Sequence, residues 1–183
     1  MTRIGFMSDL HLDSNQFGHF ELETLKYIFK KERIDHLHIA GDLSNDLAHI
    51  SLPFIEELRQ ELTISFNLGN HDMLGLSEQE ISGYDFQVQQ FGQTKLVSFS
   101  GWYDYSFVPE KSKEEHLRTK NNFWFDRRLD RELDDPSLTA HSLLRLEKLL
   151  ASLDGPIIIT MHFVPHQDFL YDHHYFQRFN AFL

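Results

Sequence analysis

The chain has 183 residues, 41% hydrophobic and 25% charged, which excludes a disordered chain and fits one sizeable core in a single domain spanning 1–183. It has no cysteine, so disulfides and thiolate metal sites are excluded and any metal must be held by His, Asp, Asn or Glu. The net charge of −11 disfavours broad electrostatic binding to nucleic acid, although carboxylates that hold divalent cations are locally neutralised by them.

The start of the chain, MTRIGFMSDLHLD, has neither the apolar stretch nor the cleavage site of a signal peptide. No apolar run approaches the roughly 20 residues that cross a bilayer. These features predict a soluble, cytoplasmic protein without a membrane partner. Twelve histidines make a His-ligated metal worth seeking.

Arg3 to Met7 reads as a short buried strand followed by a loop, Ser8 to Asp13. Leu22, Leu25, Ile28 and Phe29 recur at helical spacing over Glu21 to Arg33. Asp35 to Ala40 is a second strand, stopped by Gly41. Pro53 to Glu61 is a helix with Pro near its start, and Leu62 to Leu68 a third strand, stopped by Gly69. Strands alternating with helices imply parallel βαβ units.

Gly75 to Gln93 carries no clear period. Thr94 to Ser100 alternates as a strand. Residues 108–136 are highly charged, interrupted by NNFWF, and form a candidate lid or insert. Leu138 to Leu153 is an amphipathic helix ending near Gly155-Pro156. Ile157 to Met161 is a continuous apolar strand, predicted to be buried, that delivers His162.

Asp9, Asp42, Asn70 and His162 each fall at or just past a strand's C-terminal end, the edge where open α/β sheets bind ligands. Asp9-Leu10-His11 can put a carboxylate and an imidazole on one metal if the chain turns sharply; alone it reads more simply as a capping Asp beside a loop His. Gly41 permits a tight turn that aims Asp42 over the edge, where two carboxylate oxygens can bridge two cations. Asp46 reads as a cap for the next helix. In Gly69-Asn70-His71-Asp72 the Asn carbonyl can serve a hard cation, His71 can donate a proton and Asp72 can fix the His71 tautomer; alone the segment reads equally as a polar turn, which Gly-Asn favours. His162 is a ligand or simply caps the sheet edge.

Taken as an ordered set, D-x-H, G-D, G-N-H-D and a strand-end His resemble the calcineurin-like metallophosphoesterase superfamily, its bacterial phosphodiesterase-like branch in particular. The resemblance runs from Asp9 to His162. It implies an α/β fold, a β-sandwich of two mixed sheets flanked by helices (α/β/β/α). It implies that Asp9 and His11 hold a first metal, Asp42 bridges, Asn70 and His162 hold a second, and His71, backed by Asp72, assists the phosphoryl or leaving group. The cofactors implied are two divalent ions, Mn before Fe or Zn. The activity implied is hydrolysis of a phosphodiester or phosphomonoester by a metal-bridging hydroxide.

The family's last motif, G-H-x-H, has no counterpart here. The adjacent His173-His174 lack its leading Gly. The chain is therefore expected to be C-terminally truncated, to lack part of the second sheet, and to bind metal weakly or be inactive as it stands. GDLSND and GNHD differ from the protein-phosphatase patterns, which points to a phosphorylated small-molecule or nucleotide substrate. A nuclease of the same superfamily and a non-catalytic binding module are the alternatives, with nucleic acid the less expected partner; the oligomeric state is left open.

Residues 111–131 hold seven Lys/Arg against four Asp/Glu around Phe123, Trp124 and Phe125. They read either as a wall that meets an anionic substrate or as a solvated helix pair packed on the core. Trp102, Tyr103 and Tyr105 read as pocket floor or ordinary core.

Overall fold

The structure, a computed structural model, describes residues 2–183. The first sheet consists of β1 (Ile4–Met7), β2 (His36–Ala40) and β3 (Thr63–Asn67), all parallel, in that order. Parallel neighbours need crossovers, and helices supply them. The first is α1 (His19–Glu32), which opens where the Glu21 carboxylate accepts the Gly18 N–H and closes on Arg33 in the left-handed region. The second is a π-helical turn, Leu47–Ser51, running into α2 (Leu52–Leu58).

One side of this sheet is a dry core in which Leu37, Ile39 and Ile64 meet Ile55 and Leu58 of α2 and Leu22 and Phe29 of α1. The other is polar. His36 and His38 stand two apart on β2, so both point the same way. They share the Ser65 hydroxyl at 2.7 and 2.8 Å, and His38 Nε2 lies 3.0 Å from Asn67 Oδ1.

The second sheet consists of β4 (Gln87–Phe91), β5 (Thr94–Ser98) and β6 (Ile157–Thr160), with β4 antiparallel and β6 parallel to β5. The His36 ring meets Phe91 of β4 at 4.7 Å, so the polar face of the first sheet looks towards the second. Before β4 lies α3 (Glu78–Tyr84), and between β5 and β6 lie α4 (Lys113–Phe123), a 3-10 turn at Phe125–Arg128 and α5 (Asp135–Ala151). A second core gathers Leu68, Met73, Ile81, Trp102, Tyr103, Tyr105, Leu138, Phe163 and Phe182. Two sheets flanked by helices make this the sandwich the motif set implied, with the second sheet mixed but the first wholly parallel.

Several local features depart from the sequence expectations. The segment without clear period resolves into α3 and β4, because Ser77 and Glu80 form a capping box and Gly92-Gln93 a tight hairpin. Asp46 does act as a cap, accepting the His49 N–H at 3.0 Å, but it opens the π-helical turn rather than a regular helix. The apolar strand β6 is not buried. It is an edge strand, and Ile158 and Ile159 are 38% and 43% exposed. Among the described residues no helix is long and apolar enough to cross a membrane.

Three of the seven basic residues over 111–131 are in ion pairs: Lys113 with Asp134, Lys120 with the buried Asp135, and Arg131 with Glu78. Arg118, Arg127 and Arg128 stay exposed, and the Arg128 guanidinium lies over the Phe125 ring at 4.9 Å.

Candidate metal centre

Three loops leave the C-terminal edge of the first sheet and interlock. The loop after β1 pairs with the loop after β2 through Asp9 N–H to Gly41 O at 3.1 Å and His11 N–H to Asp42 O at 3.0 Å. The loop after β3 packs on the same turn. Gly41, at φ +89°, lies so close to Gly69 that a Cβ on either would overlap the other loop's backbone. That close approach brings Asp42 beside Asn70 and His71. Asp9, His11 and Asp42 all have positive φ (59°, 43° and 56°), conformations that side chains other than Gly adopt at a cost and that recur at functional sites.

Asp72 holds the loops together. Its Oδ2 accepts the N–H groups of Asp42 (2.6 Å) and Gly69 (3.0 Å), and its Oδ1 those of Leu43 (3.0 Å) and Ser44 (3.2 Å). It is 1% exposed, and burial pushes its pKa up to about 6 against those four hydrogen bonds. The expected contact with the His71 ring is not made. The carboxylate is saturated by backbone donors and points into the turn.

The ring of His71 is held instead by Asn45, whose Oδ1 lies 2.9 Å from Nδ1. The Asn45 amide is oriented in turn by Asp13, whose Oδ2 accepts its Nδ2–H at 2.7 Å and its backbone N–H at 3.1 Å. With that amide nitrogen committed, Asn45 offers an oxygen to His71, so Nδ1 carries the proton and Nε2 turns to the site. Phe125 stacks on the ring at 3.7 Å between centroids. Burial lowers the His71 pKa, and the Asp42 carboxylate partly offsets this.

Asp42, 4% exposed, is the hub. Its Oδ1 accepts the His71 N–H at 2.9 Å and lies 3.5 Å from His162 Nε2; its Oδ2 lies 3.6 Å from His11 Nε2 and 3.9 Å from His71 Nε2. Two groups have ligand atoms all within 4.8 Å of one another: His11, Asp42 and His71, and Asp9, Asp42 and His162. Asp42 is in both. The grouping differs from the sequence expectation by putting His71 beside His11 and Asp9 beside His162.

His162 gives the clearest test of whether a cation fits. Its Nδ1 lies 3.0 Å from the carbonyl of Ala40, which only accepts, so Nδ1 carries the proton of the neutral ring. Its Nε2 lone pair then faces Asn70 Oδ1 at 3.1 Å and Asp42 Oδ1 at 3.5 Å. The Asn70 nitrogen is turned away, donating to Asp126 at 2.6 Å. With the ring neutral, His162 Nε2 and Asn70 Oδ1 face each other with no proton between them, and Asp42 Oδ1, which accepts the His71 backbone N–H, lies beside them. A divalent cation satisfies such a set, and a ligating His characteristically donates its other N–H to a carbonyl. The oxygen and nitrogen donors suit Mn, Fe or Zn.

The seven residues singled out from sequence thus gather at one edge, with five around the Asp42 hub and Asp72 beneath it. A cavity of about 520 Å³ opens over Asp9, Asp42, Asn70, His71 and His162, walled by Phe123, Trp124 and Phe125 on one side and Phe163 and Phe182 on the other. Trp102, Tyr103 and Tyr105 do not floor it. They are buried core, beside a separate cavity of about 370 Å³. His173 and His174 are exposed and in neither ligand group. Sequence reasoning missed Asn45, Asp13 and Asp126, and it placed Phe125 in a wall of the site without foreseeing its stack on His71. Asn45 stands in the GDLSND segment three residues after Asp42, the one signal that pointed to it.

No curated protein matches the chain. Among solved structures it is similar to a phosphopantetheinyl hydrolase from Mycobacterium tuberculosis, at 19% identity and a TM-score of 0.67, over 98% of this chain and 74% of that one. The likeness is one of fold. The family model described as calcineurin-like phosphoesterase matches residues 2–182, nearly the whole length. The chain belongs to the calcineurin-like phosphoesterase family, whose members are metal-dependent hydrolases of the phosphoesterase type.

Proposed function

We propose that the chain hydrolyses a phosphodiester or phosphomonoester of a small molecule or nucleotide, using two divalent ions held by Asp9, His11, Asp42, Asn70 and His162, with manganese the preferred metal. The observation that carries this is the convergence of His162 Nε2 with Asn70 Oδ1 at 3.1 Å and Asp42 Oδ1 at 3.5 Å, the neutral ring meeting the Asn70 oxygen with no proton between them. Asp42 belongs to both ligand groups, which supports its role as the bridge.

When bound, the two ions supply Lewis acidity, neutralising charge on the phosphoryl oxygens and lowering the pKa of water towards neutrality. His71 does the proton work. Asn45 keeps the proton on Nδ1, so Nε2 faces the substrate side and can take up a proton and pass it to the departing oxygen. Asp42, by accepting the His71 N–H, fixes the backbone from which that ring projects. Phe125 limits the ring's rotation by stacking on it. Segment 108–136 acts as a wall of the site: Phe123, Trp124 and Phe125 offer flat apolar surface to the non-phosphate arm of the ester. The net charge of −11 favours a small ester over a polynucleotide.

The test is hydrolysis of bis-p-nitrophenyl phosphate and p-nitrophenyl phosphate with added Mn²⁺ and after chelation, with single-stranded DNA alongside. Mn²⁺-dependent turnover of either ester, abolished by chelator, is the expected result. Cleavage of DNA alone would make the chain a nuclease. No turnover of any of the three, in protein that binds Mn²⁺ at saturation, would leave a binding module on a phosphoesterase scaffold; no turnover without bound Mn²⁺ would point to the missing G-H-x-H ligands.

A further inference from the structure

Asn70 and Asp126 stand 56 residues apart in sequence and are joined by a 2.6 Å hydrogen bond from Asn70 Nδ2 to Asp126 Oδ1. Asp126 comes from the 3-10 turn after α4, on the segment that walls the cavity, and contributes no ligand itself. It is 1% exposed. The nearby Lys120 ammonium is spent on both oxygens of Asp135, at 2.7 and 2.9 Å, and among the described residues Asp126 has no ion pair. Its other oxygen accepts the Trp124 indole N–H at 3.1 Å. A carboxylate buried without a counter-charge is costly, so its retention asks for a reason.

The reason lies in the shape of an amide. Oxygen and nitrogen of Asn70 are nearly interchangeable in size, so packing does not choose between them and hydrogen bonding must. In the metal-free protein, flipping the amide would be locally favourable: Nδ2 would donate to the bare Nε2 of His162, 3.1 Å from the present oxygen. The flipped amide would then turn a donor towards the cation site and close it. The flip is opposed from the far side, where it would set the Asn70 oxygen against the Asp126 carboxylate, which accepts only.

We infer that Asp126 is a positioning residue for the metal centre: by accepting the Asn70 N–H it holds that amide with its oxygen towards the cation site. This rests on the proposed metal-binding role of the site. Segment 108–136 is therefore coupled to metal binding as well as to substrate.

The test is calorimetric titration of Mn²⁺ into metal-free protein, with melting of each metal-free variant recorded alongside. Asp126→Asn lets the amide flip. It is expected to weaken Mn²⁺ binding roughly 10–100-fold with little change in the metal-free melting temperature. In an Asn70→Ala background the same substitution should cost nothing further, since the residue it acts through is gone. The exchange Asn70→Asp with Asp126→Asn reverses donor and acceptor while keeping the bond, and should recover binding lost in Asp126→Asn; it also serves as the test if the single variant does not fold. Wild-type affinity in Asp126→Asn, or an undiminished loss in the Asn70→Ala background, would overturn the inference. Absence of Mn²⁺ binding by the wild-type chain is a different result. It would overturn the metal-centre reading itself and this inference with it.

Discussion

Asp72 Oδ2 accepts the backbone N–H of Asp42 at 2.6 Å, across a separation of thirty residues. The same carboxylate takes three further backbone N–H groups, from Leu43, Ser44 and Gly69, so one buried side chain clamps two of the three loops of the site. Asp72→Ala leaves these donors unsatisfied. Each buried orphan costs about 1–3 kcal/mol, so a loss of roughly 3 kcal/mol or more is expected, read as a large fall in melting temperature in the metal-free protein. Had Asp72 served to orient His71, the variant would keep its melting temperature and lose only turnover.

The orienting task falls to Asn45. Asn45→Ala frees the His71 ring to rotate and lets the proton sit on either nitrogen. Turnover should fall by roughly 10–100-fold, and by about 10²–10⁴-fold in His71→Ala, with metal content near the wild-type value in both. His71 also sits in a ligand group with His11 and Asp42. Loss of metal in His71→Ala, with turnover per bound metal unchanged, would make it a ligand rather than a proton carrier.

The polar ladder of the first sheet predicts a pH dependence that metal does not enter. Burial lowers the pKa of His38 from 6.5 to about 4, so the folded protein keeps the ring neutral while the unfolded chain protonates. The resulting stability is complete above about pH 6.5 and is lost as the pH falls towards 4; the shift corresponds to about 3 kcal/mol. Asp72 and Asp126, both raised to about 6 by burial, act oppositely over this window, because the folded state protonates first. The discriminating quantity is thus the difference between wild type and His38→Gln. Chemical denaturation at pH 7 and pH 4.5 should find the variant's deficit shrinking on acidification. A constant deficit would mean that His38 is not the proton-linked group.

Substitution at Gly69 tests the interlock of the loops. A Cβ there would collide with the backbone and carboxylate of Asp42. Gly69→Ala should therefore displace the hub and weaken Mn²⁺ binding, with a destabilisation of about 1–3 kcal/mol. Binding and melting both at the wild-type level would show that the turns have room that their geometry denies.

The alternating pattern and strand-stopping glycines gave away most of the first sheet, and the strand-end positions of Asp9, Asp42, Asn70 and His162 gave away the edge at which they meet. These are local signals. What escaped was carried by contacts between distant segments. Asp72 comes directly after His71 in sequence, yet its side chain turns to another loop because four backbone donors outcompete one imidazole. Asp126 had no sequence mark at all, since its partner is 56 residues away. Strand β6 looked buried because all three of its isoleucines are apolar, but period alone does not tell an edge strand from a central one.

The most direct test of the central claim is the number of Mn²⁺ ions bound at saturation by four proteins: wild type, His11→Ala, His162→Ala and Asp42→Asn. Asp42 lies in both ligand groups, whereas His11 and His162 each lie in one. Stoichiometries of about two for wild type, about one for each histidine variant and near zero for Asp42→Asn are predicted. Wild-type binding in Asp42→Asn would contradict a centre built around that carboxylate.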